Sequence, residues 1–124
     1  MAKKILVVDD EPNILLVLAS RLKANNFEVI TASDGFYAVK KAREEKPDLI
    51  ILDIRMPAGG GMSVFESLKI IPDTAIIPVI FITAHPTPQL EQKAKEMGAV
   101  DFISKPFDAD ELILKIKKAL GEVK

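Results

Sequence analysis

The sequence predicts an α/β fold, in which a parallel sheet of five strands is covered by helices on both faces as one (βα)5 unit. Two observations predict it. Five apolar segments of strand length alternate with segments whose apolar residues recur every three to four positions, as in amphipathic helices. The strand segments are continuously apolar, which is typical of parallel strands buried on both faces. The 124 residues, 48% of them hydrophobic, suit a single domain, which we assign to residues 1–124.

The five predicted strands are rich in β-branched side chains, which favour extended structure. They are KILVVD (4–9), FEVITA (27–32), DLIILD (48–53), IIPVIFIT (76–83) and DFIS (101–104). Because neighbouring parallel strands need a crossover connection, the segments between them are predicted to be helices that return the chain to the same edge of the sheet.

Residues that begin or cap helices mark four of the five predicted helices. Pro12 begins the first helix, which ends at Asn25-Asn26. Asp34 caps the second helix, over 35–46, and Pro47 ends it. Thr87 and Pro88 begin the fourth helix, which ends at Gly98, and Asp108 caps the fifth. The third, over 62–70, is shorter. The apolar face of the first helix is predicted to comprise Ile14, Val17, Leu18 and Leu22.

The composition excludes several function classes. The formal net charge of -1 gives no overall basic field, so we expect no direct contact with nucleic acid. The chain has no cysteine, which excludes disulfides, thiol catalysis and cysteine-ligated metals. Its longest apolar runs are too short to cross a bilayer. We therefore expect a soluble cytoplasmic protein with no membrane partner.

Charged and hydroxyl side chains follow the predicted strands, where ligands bind in parallel sheets. These are Asp9 and Asp10, Asp53, Thr83 and Lys105. Any one acid could simply cap a helix or form a turn. Together, however, two carboxylates about 4 Å apart repel by roughly 4 kcal/mol at an effective dielectric constant of about 20. A bound cation would remove this repulsion, and oxygen ligands favour Mg²⁺ first.

Four motifs in order, VVDDEPN, LDIRMP, FITAH and DFISKPF, resemble those of bacterial response regulator receiver domains of the chemotaxis-regulator type. The resemblance runs essentially end to end. It implies a flavodoxin-like sheet with strand order 2-1-3-4-5. It also implies that Asp53 accepts a phosphoryl group from a phosphohistidine on a sensor histidine kinase or a histidine phosphotransfer protein. Such a domain is a signalling switch rather than a metabolic enzyme, although it catalyses its own phosphotransfer and dephosphorylation.

The same resemblance implies the ligands of the site. Mg²⁺, with Mn²⁺ as an alternative ion, would be held by Asp9, Asp10, Asp53 and the backbone carbonyl of Arg55. The Thr83 hydroxyl and the Lys105 ammonium group would contact the phosphoryl oxygens.

Two further residues are implicated in switching and in site geometry. In receiver domains the threonine equivalent to Thr83 moves toward the phosphoryl group while an aromatic residue on the last strand rotates inward. That movement changes the face made by the fourth helix, last strand and last helix. Phe102 occupies the aromatic position, and the alternative is a plain core or surface phenylalanine of an amphipathic strand. Lys105-Pro106 resembles the family's Lys-Pro pair, which implies a cis bond before Pro106 that aims Lys105 over the strand ends.

Several positions depart from the family pattern. The loop AGGG (58–61) has Gly60 where many relatives have aspartate, and prolines at 86 and 88 restrict the segment after Thr83. The resemblance implies that Arg55 and His85 occupy the variable positions flanking the phosphorylation site that adjust the lifetime of the acyl phosphate. As the only histidine, His85 could instead be an ordinary exposed loop residue.

The partners are predicted from surface residues and from the resemblance. Leu15 and Leu16 lie off the predicted core face of the first helix and, with Phe107, are predicted to form an apolar docking patch for the kinase. Downstream, the resemblance implies a protein target or a detached output domain, and a homodimer that forms on phosphorylation.

Three competing interpretations remain. The first is a phosphorylation-independent adaptor with the same fold, against which Asp53, Thr83 and Lys105 argue. The second is a Mg²⁺-dependent aspartyl phosphatase, which needs a D-x-D motif, whereas Ile54 and Arg55 follow Asp53. The third is a flavodoxin-type electron carrier, whose flavin phosphate the acids after the first strand would repel.

Overall fold

The computed structural model describes residues 2–55 and 60–122, and these form the predicted α/β fold. The strands are β1 (Lys4–Val8), β2 (Glu28–Ala32), β3 (Leu49–Asp53), β4 (Val79–Thr83) and β5 (Asp101–Ser104). All neighbouring strands are parallel and their order is β2-β1-β3-β4-β5, which confirms the flavodoxin-like topology.

The helices in the described residues lie on both faces of this sheet. They are α1 (Pro12–Ala24), α2 (Gly35–Glu45), α3 (Gly60–Ile70), α4 (Pro72–Ala75), α5 (Pro88–Glu96) and α6 (Ala109–Ala119). The predicted fourth and fifth helices are therefore α5 and α6, and α3 begins two residues earlier than predicted. Residues 56–59, which include the end of LDIRMP and the start of the AGGG loop, lie outside the described residues.

The predicted caps of three helices are confirmed. The Asp34 carboxylate accepts a hydrogen bond from the backbone N–H of Tyr37 at the start of α2. The Thr87 hydroxyl accepts one at the start of α5, and the Asp108 carboxylate accepts two at the start of α6. Each bond satisfies backbone donors that the first turn of a helix leaves without partners.

The predicted fourth strand was too long at its start. Residues 76–78, predicted as strand, instead connect the one-turn helix α4 to β4, which begins at Val79. The backbone N–H of Ile77 donates to the carbonyl of Thr74, which closes the helical turn. Ile76 is 85% exposed, so the run of apolar letters there does not correspond to buried strand.

The predicted apolar face of α1 was wrong at Val17. This side chain is 48% exposed, whereas Leu18 and Leu22 are fully buried. Ile14 and Leu15 complete the packed face, because both are half-buried against the core. The helix is therefore rotated slightly relative to the prediction, and its exposed apolar side chains are Leu16 and Val17.

The core forms two layers, one on each face of the sheet, because successive strand residues point to opposite faces. Along β1, Leu6 and Val8 pack in one layer, and Ile5 and Val7 in the other. This packing fixes the register of the strands, so that their carboxyl ends share one edge of the sheet. Among the described helices, none combines the length and the apolar character needed to cross a bilayer.

Candidate functional site

Four carboxylates converge at the carboxyl edge of the sheet. Asp9, Asp10, Glu11 and Asp53 each place one oxygen within 4.8 Å of the others. Asp9 and Asp53 are buried at the ends of β1 and β3, whereas Glu11 is exposed. The structure thus brings together the three predicted acids. It adds Glu11, which sequence reasoning missed although it directly follows the acidic pair.

Lys105 reaches into this cluster from beyond β5. Its Nζ lies 2.8 Å from Asp9 Oδ2, 3.1 Å from Glu11 Oε1 and 3.6 Å from Asp53 Oδ2. Burial alone would lower the pKa of Lys105, but the close contacts with Asp9 and Glu11 and the charges of Asp9 and Asp53 outweigh this effect and raise that pKa. The ammonium group is therefore held in its charged form among the acids.

Asp53 is almost completely buried, with 2% of its surface exposed. Its Oδ1 accepts a hydrogen bond from the backbone N–H of Arg55 at 3.1 Å, and its Oδ2 faces Lys105. Burial, followed by the charge of Asp9, raises the pKa of Asp53 from 3.8 to about 6, against the lowering effects of the Arg55 N–H and of Lys105. The negative charge of Asp53 is thus unfavourable in this environment without a further cation.

The donor set fits a hard divalent cation. Four carboxylates face one ammonium group, which leaves an excess of negative charge. Among the described residues, the fully buried Asp9 Oδ2 contacts Lys105 Nζ at 2.8 Å as an ion pair, although this contact does not meet hydrogen-bond geometry. One ammonium group cannot neutralise both buried carboxylates, Asp9 and Asp53, and a buried charge without a counter-charge is costly. Oxygen ligands of this kind suit Mg²⁺.

Thr83 connects the loops that follow β4 and β5. Its hydroxyl accepts a hydrogen bond from the backbone N–H of His85 at 3.2 Å, and its carbonyl accepts one from the backbone N–H of Lys105 at 2.7 Å. Thr83 is fully buried, whereas His85 is exposed. Thr83, which is predicted to contact the phosphoryl group, therefore forms a hydrogen bond with the backbone of Lys105.

The residues predicted around Lys105 have the following environments. The Lys105–Pro106 peptide bond is cis. Phe102, 6% exposed, pairs with Phe81 on β4 and lies in the same core layer. Phe107 is half-buried against the other layer.

The predicted docking patch is only partly an exposed surface. Leu16 is 71% exposed, but Leu15 and Phe107 are half-buried against the same core layer. Leu16 is consequently the residue of this set that is most available to a partner.

Residues 5–117 match the family model of the response regulator receiver domain. The chain belongs to the response regulator receiver family. Receiver domains are signalling switches of two-component systems that bind Mg²⁺ at an acidic pocket and interact with histidine kinases and output domains. In this chain, Asp9, Asp10, Glu11 and Asp53 form a cluster of acidic side chains.

Two curated proteins of Bacillus subtilis illustrate the range of relatives. The alkaline phosphatase synthesis transcriptional regulatory protein PhoP is 41% identical over 97% of this chain and 49% of its own length. Sporulation initiation phosphotransferase F is 34% identical over 97% of this chain and 95% of its own length. The chain thus spans about half the length of PhoP and nearly all of the phosphotransferase.

A solved structure provides a comparison for the site. The receiver domain of sensor histidine kinase PA1611 from Pseudomonas aeruginosa, with a magnesium ion coordinated in its active-site cleft, superposes with a TM-score of 0.89. It is 26% identical to this chain, and the match covers 98% of this chain and 99% of that one.

Proposed function

We propose that this chain is a phosphorylation-controlled switch in which Asp53 accepts a phosphoryl group from a phosphohistidine. The donor would be a sensor histidine kinase or a histidine phosphotransfer protein, and the reaction would depend on Mg²⁺. The observation that carries the proposal is the convergence of Asp53 with three other carboxylates and Lys105. Within this cluster, Oδ2 of Asp53 faces the Lys105 ammonium group. When Oδ2 bonds to phosphorus, that ammonium group can contact a phosphoryl oxygen.

In the reaction, an oxygen of Asp53 forms a bond to phosphorus while the bond from phosphorus to the histidine nitrogen breaks. The histidine nitrogen keeps the electron pair and becomes a neutral imidazole after any proton exchange with solvent. Phosphoryl transfer passes through a loose transition state, so positioning and charge neutralisation provide most of the catalysis. Oδ1 of Asp53 is held by the Arg55 N–H, which leaves Oδ2 as the nucleophile we propose.

Mg²⁺, or Mn²⁺ in its place, would be held by Asp9, Asp10, Asp53 and the Arg55 carbonyl, and when bound it would neutralise charge on the phosphoryl oxygens. Lys105 would contact a second phosphoryl oxygen, since its Nζ already lies 3.6 Å from Asp53 Oδ2. Water attack on the acyl phosphate would then reset the switch.

The signal would leave the site through Thr83 and Phe102. A shift of the Thr83 hydroxyl toward a phosphoryl group would break its bond to the His85 N–H and so move the loop before α5. Phe102 would transmit this shift by packing alone, because it has no hydroxyl group. The surface that changes would be the face made by α5, β5 and α6. Arg55 and His85, at the rim, would adjust how long the acyl phosphate persists.

The kinase would dock on the patch of Leu15, Leu16 and Phe107, with Leu16 as its most exposed member. Downstream, a protein target or a detached output domain would read the changed face, and phosphorylation would favour a homodimer. PhoP is a transcriptional regulatory protein, but the match covers only half of it. We therefore propose control of a partner rather than direct binding of nucleic acid by this chain.

Intact-mass analysis tests the proposal. The protein is incubated with phosphoramidate and Mg²⁺, and we expect one added phosphoryl group in the wild type and none in Asp53→Ala or in the presence of EDTA. Asp73→Ala, which removes an acid from α4, is the matched control and should still be modified. No added phosphoryl group in the wild type would overturn the proposal in favour of the adaptor. Full modification of Asp53→Ala would assign the acceptor to another residue.

A further inference from the structure

Glu11 occupies the N-cap position of α1 but does not cap it. Its side chain makes no hydrogen bond to the first turn, whereas the N-cap side chains of α2, α5 and α6 all do. Glutamate is not among the favoured capping residues, which have shorter side chains. Its Oε1 instead accepts a hydrogen bond at 3.1 Å from Lys105 Nζ, 94 residues away along the chain. The side chain at this position therefore contacts the site rather than the helix.

The Lys105 ammonium group lies at unequal distances from the three acids that it contacts. Its Nζ is nearer to Asp9, at 2.8 Å, and to Glu11, at 3.1 Å, than to Asp53, at 3.6 Å. Asp9 and Glu11 both belong to the connection between β1 and α1, so together they draw the ammonium group away from the acceptor.

We infer that Glu11 is a positioning residue that restrains Lys105 before phosphorylation. Glu11 holds Lys105 Nζ toward the start of α1. The contact between Lys105 and Glu11 must break before Nζ can contact the phosphoryl group that is transferred to Asp53 Oδ2. This inference rests on the proposed function, because it assigns Glu11 a role in the same reaction. Glu11 then sets how readily the unmodified protein accepts a phosphoryl group.

The restraint is expected to be modest. The Glu11 side chain is 59% exposed, and ion pairs with an exposed partner are weakened by solvent. A single charge-assisted hydrogen bond of this kind corresponds to a rate effect of roughly threefold to tenfold. Asp9, which is fully buried, would continue to hold Lys105 in the cluster after Glu11 is released.

Two substitutions separate the restraint from the general effect of charge. Glu11→Asp keeps the negative charge but has one methylene less, so it cannot reach Lys105 from the same backbone, and it can cap α1 instead. Glu11→Gln removes the charge but keeps the length, so only a weaker hydrogen bond from Lys105 to a neutral amide oxygen can remain. If the contact restrains Lys105, both variants should accept a phosphoryl group from phosphoramidate roughly threefold to tenfold faster than the wild type, at saturating Mg²⁺. A charge effect alone would accelerate Glu11→Gln and leave Glu11→Asp at the wild-type rate, which would overturn the inference.

A second arm needs neither Mg²⁺ nor phosphorylation. In EDTA, urea unfolding is compared for the wild type, Glu11→Gln, Lys105→Met and the double variant. We expect Glu11→Gln to lower the unfolding midpoint when Lys105 is present. When residue 105 is methionine, Glu11→Gln should leave the midpoint unchanged or raise it, because the neighbouring acids then repel Glu11. Equal shifts in both backgrounds would show that Glu11 and Lys105 are not coupled, and would overturn the inference.

The two arms distinguish failure of this inference from failure of the proposed function. A wild-type protein that accepts no phosphoryl group would refute the proposed function, while the unfolding comparison would still test the contact. A wild type that is modified at the same rate as both Glu11 variants, or faster than both, would refute the restraint and leave the phosphoryl-acceptor role of Asp53 intact.

Discussion

Asp53→Asn should stabilise the metal-free protein in a pH-dependent way. Burial and the charge of Asp9 raise the pKa of Asp53 from 3.8 to about 6, so the folded state binds its proton more tightly than the unfolded state does. The contribution of Asp53 to the free energy of unfolding is therefore most favourable where Asp53 is protonated in both states. This contribution falls as pH rises from about 4 through about 6. Asparagine keeps the shape and the acceptor for the Arg55 N–H, but it carries no charge to bury.

The magnitude follows from the two pKa values. The interval between 3.8 and about 6, at ~1.4 kcal/mol per pH unit, corresponds to about 3 kcal/mol of stability lost by the wild type at pH 7. Because Asp53 is only 2% exposed, solvent screening reduces this little. We expect the advantage of Asp53→Asn to be near zero at pH 4 and to approach about 3 kcal/mol at pH 7.

The assay is urea unfolding of both proteins in EDTA at several pH values between 4 and 7.5. Glu66→Gln, which neutralises an exposed acid on α3, is the control and should show no comparable change with pH. Excess Mg²⁺ should narrow the gap at neutral pH, since the ion binds the folded wild type better than the variant. A gap that is constant across the pH range, or a wild type more stable than Asp53→Asn at pH 7, would refute the reasoning.

Four further predictions concern single side chains around the site. His85→Ala should shorten the lifetime of the acyl phosphate a few-fold, because the smaller side chain would leave the acyl phosphate on Asp53 more accessible to water. Timed phosphate release measures this lifetime, and an unchanged rate would favour an ordinary loop histidine. Gly61→Ala should lower the free energy of unfolding by about 3 kcal/mol or more, because a Cβ there would overlap the Asp53 backbone. The control Gly98→Ala meets no atom, and its positive φ should cost only about 1 kcal/mol. Phe102→Leu should accept a phosphoryl group normally but weaken the response of the downstream partner, and undiminished partner affinity would remove Phe102 from the switch. Leu16→Ser should weaken kinase binding while changing stability by less than about 0.5 kcal/mol, since Leu16 is 71% exposed; equal kinase affinity would contradict the docking patch.

Local sequence signals determined most of the secondary structure. Asp34, Thr87 and Asp108 cap helices as predicted, because a capping side chain and the backbone donors it satisfies lie within three residues. The end of β5 at Ser104 was also predicted. The start of β4 was not, because residues 76–78 are as apolar as a buried strand but connect α4 to β4, with Ile76 85% exposed.

Sequence by itself also determined where the site lies. Parallel strands place their carboxyl ends at one edge, so Asp9, Asp53 and Lys105 could be expected to meet there before any coordinates were known. Only the tertiary structure decided which acids the Lys105 ammonium group contacts. The reach of the Lys105 side chain from β5 to Glu11 joins residues 94 positions apart, and the rotation of α1 that exposes Val17 depends on packing against the core. Such contacts depend on the three-dimensional positions of several elements at once, which the spacing of residues along the chain does not encode.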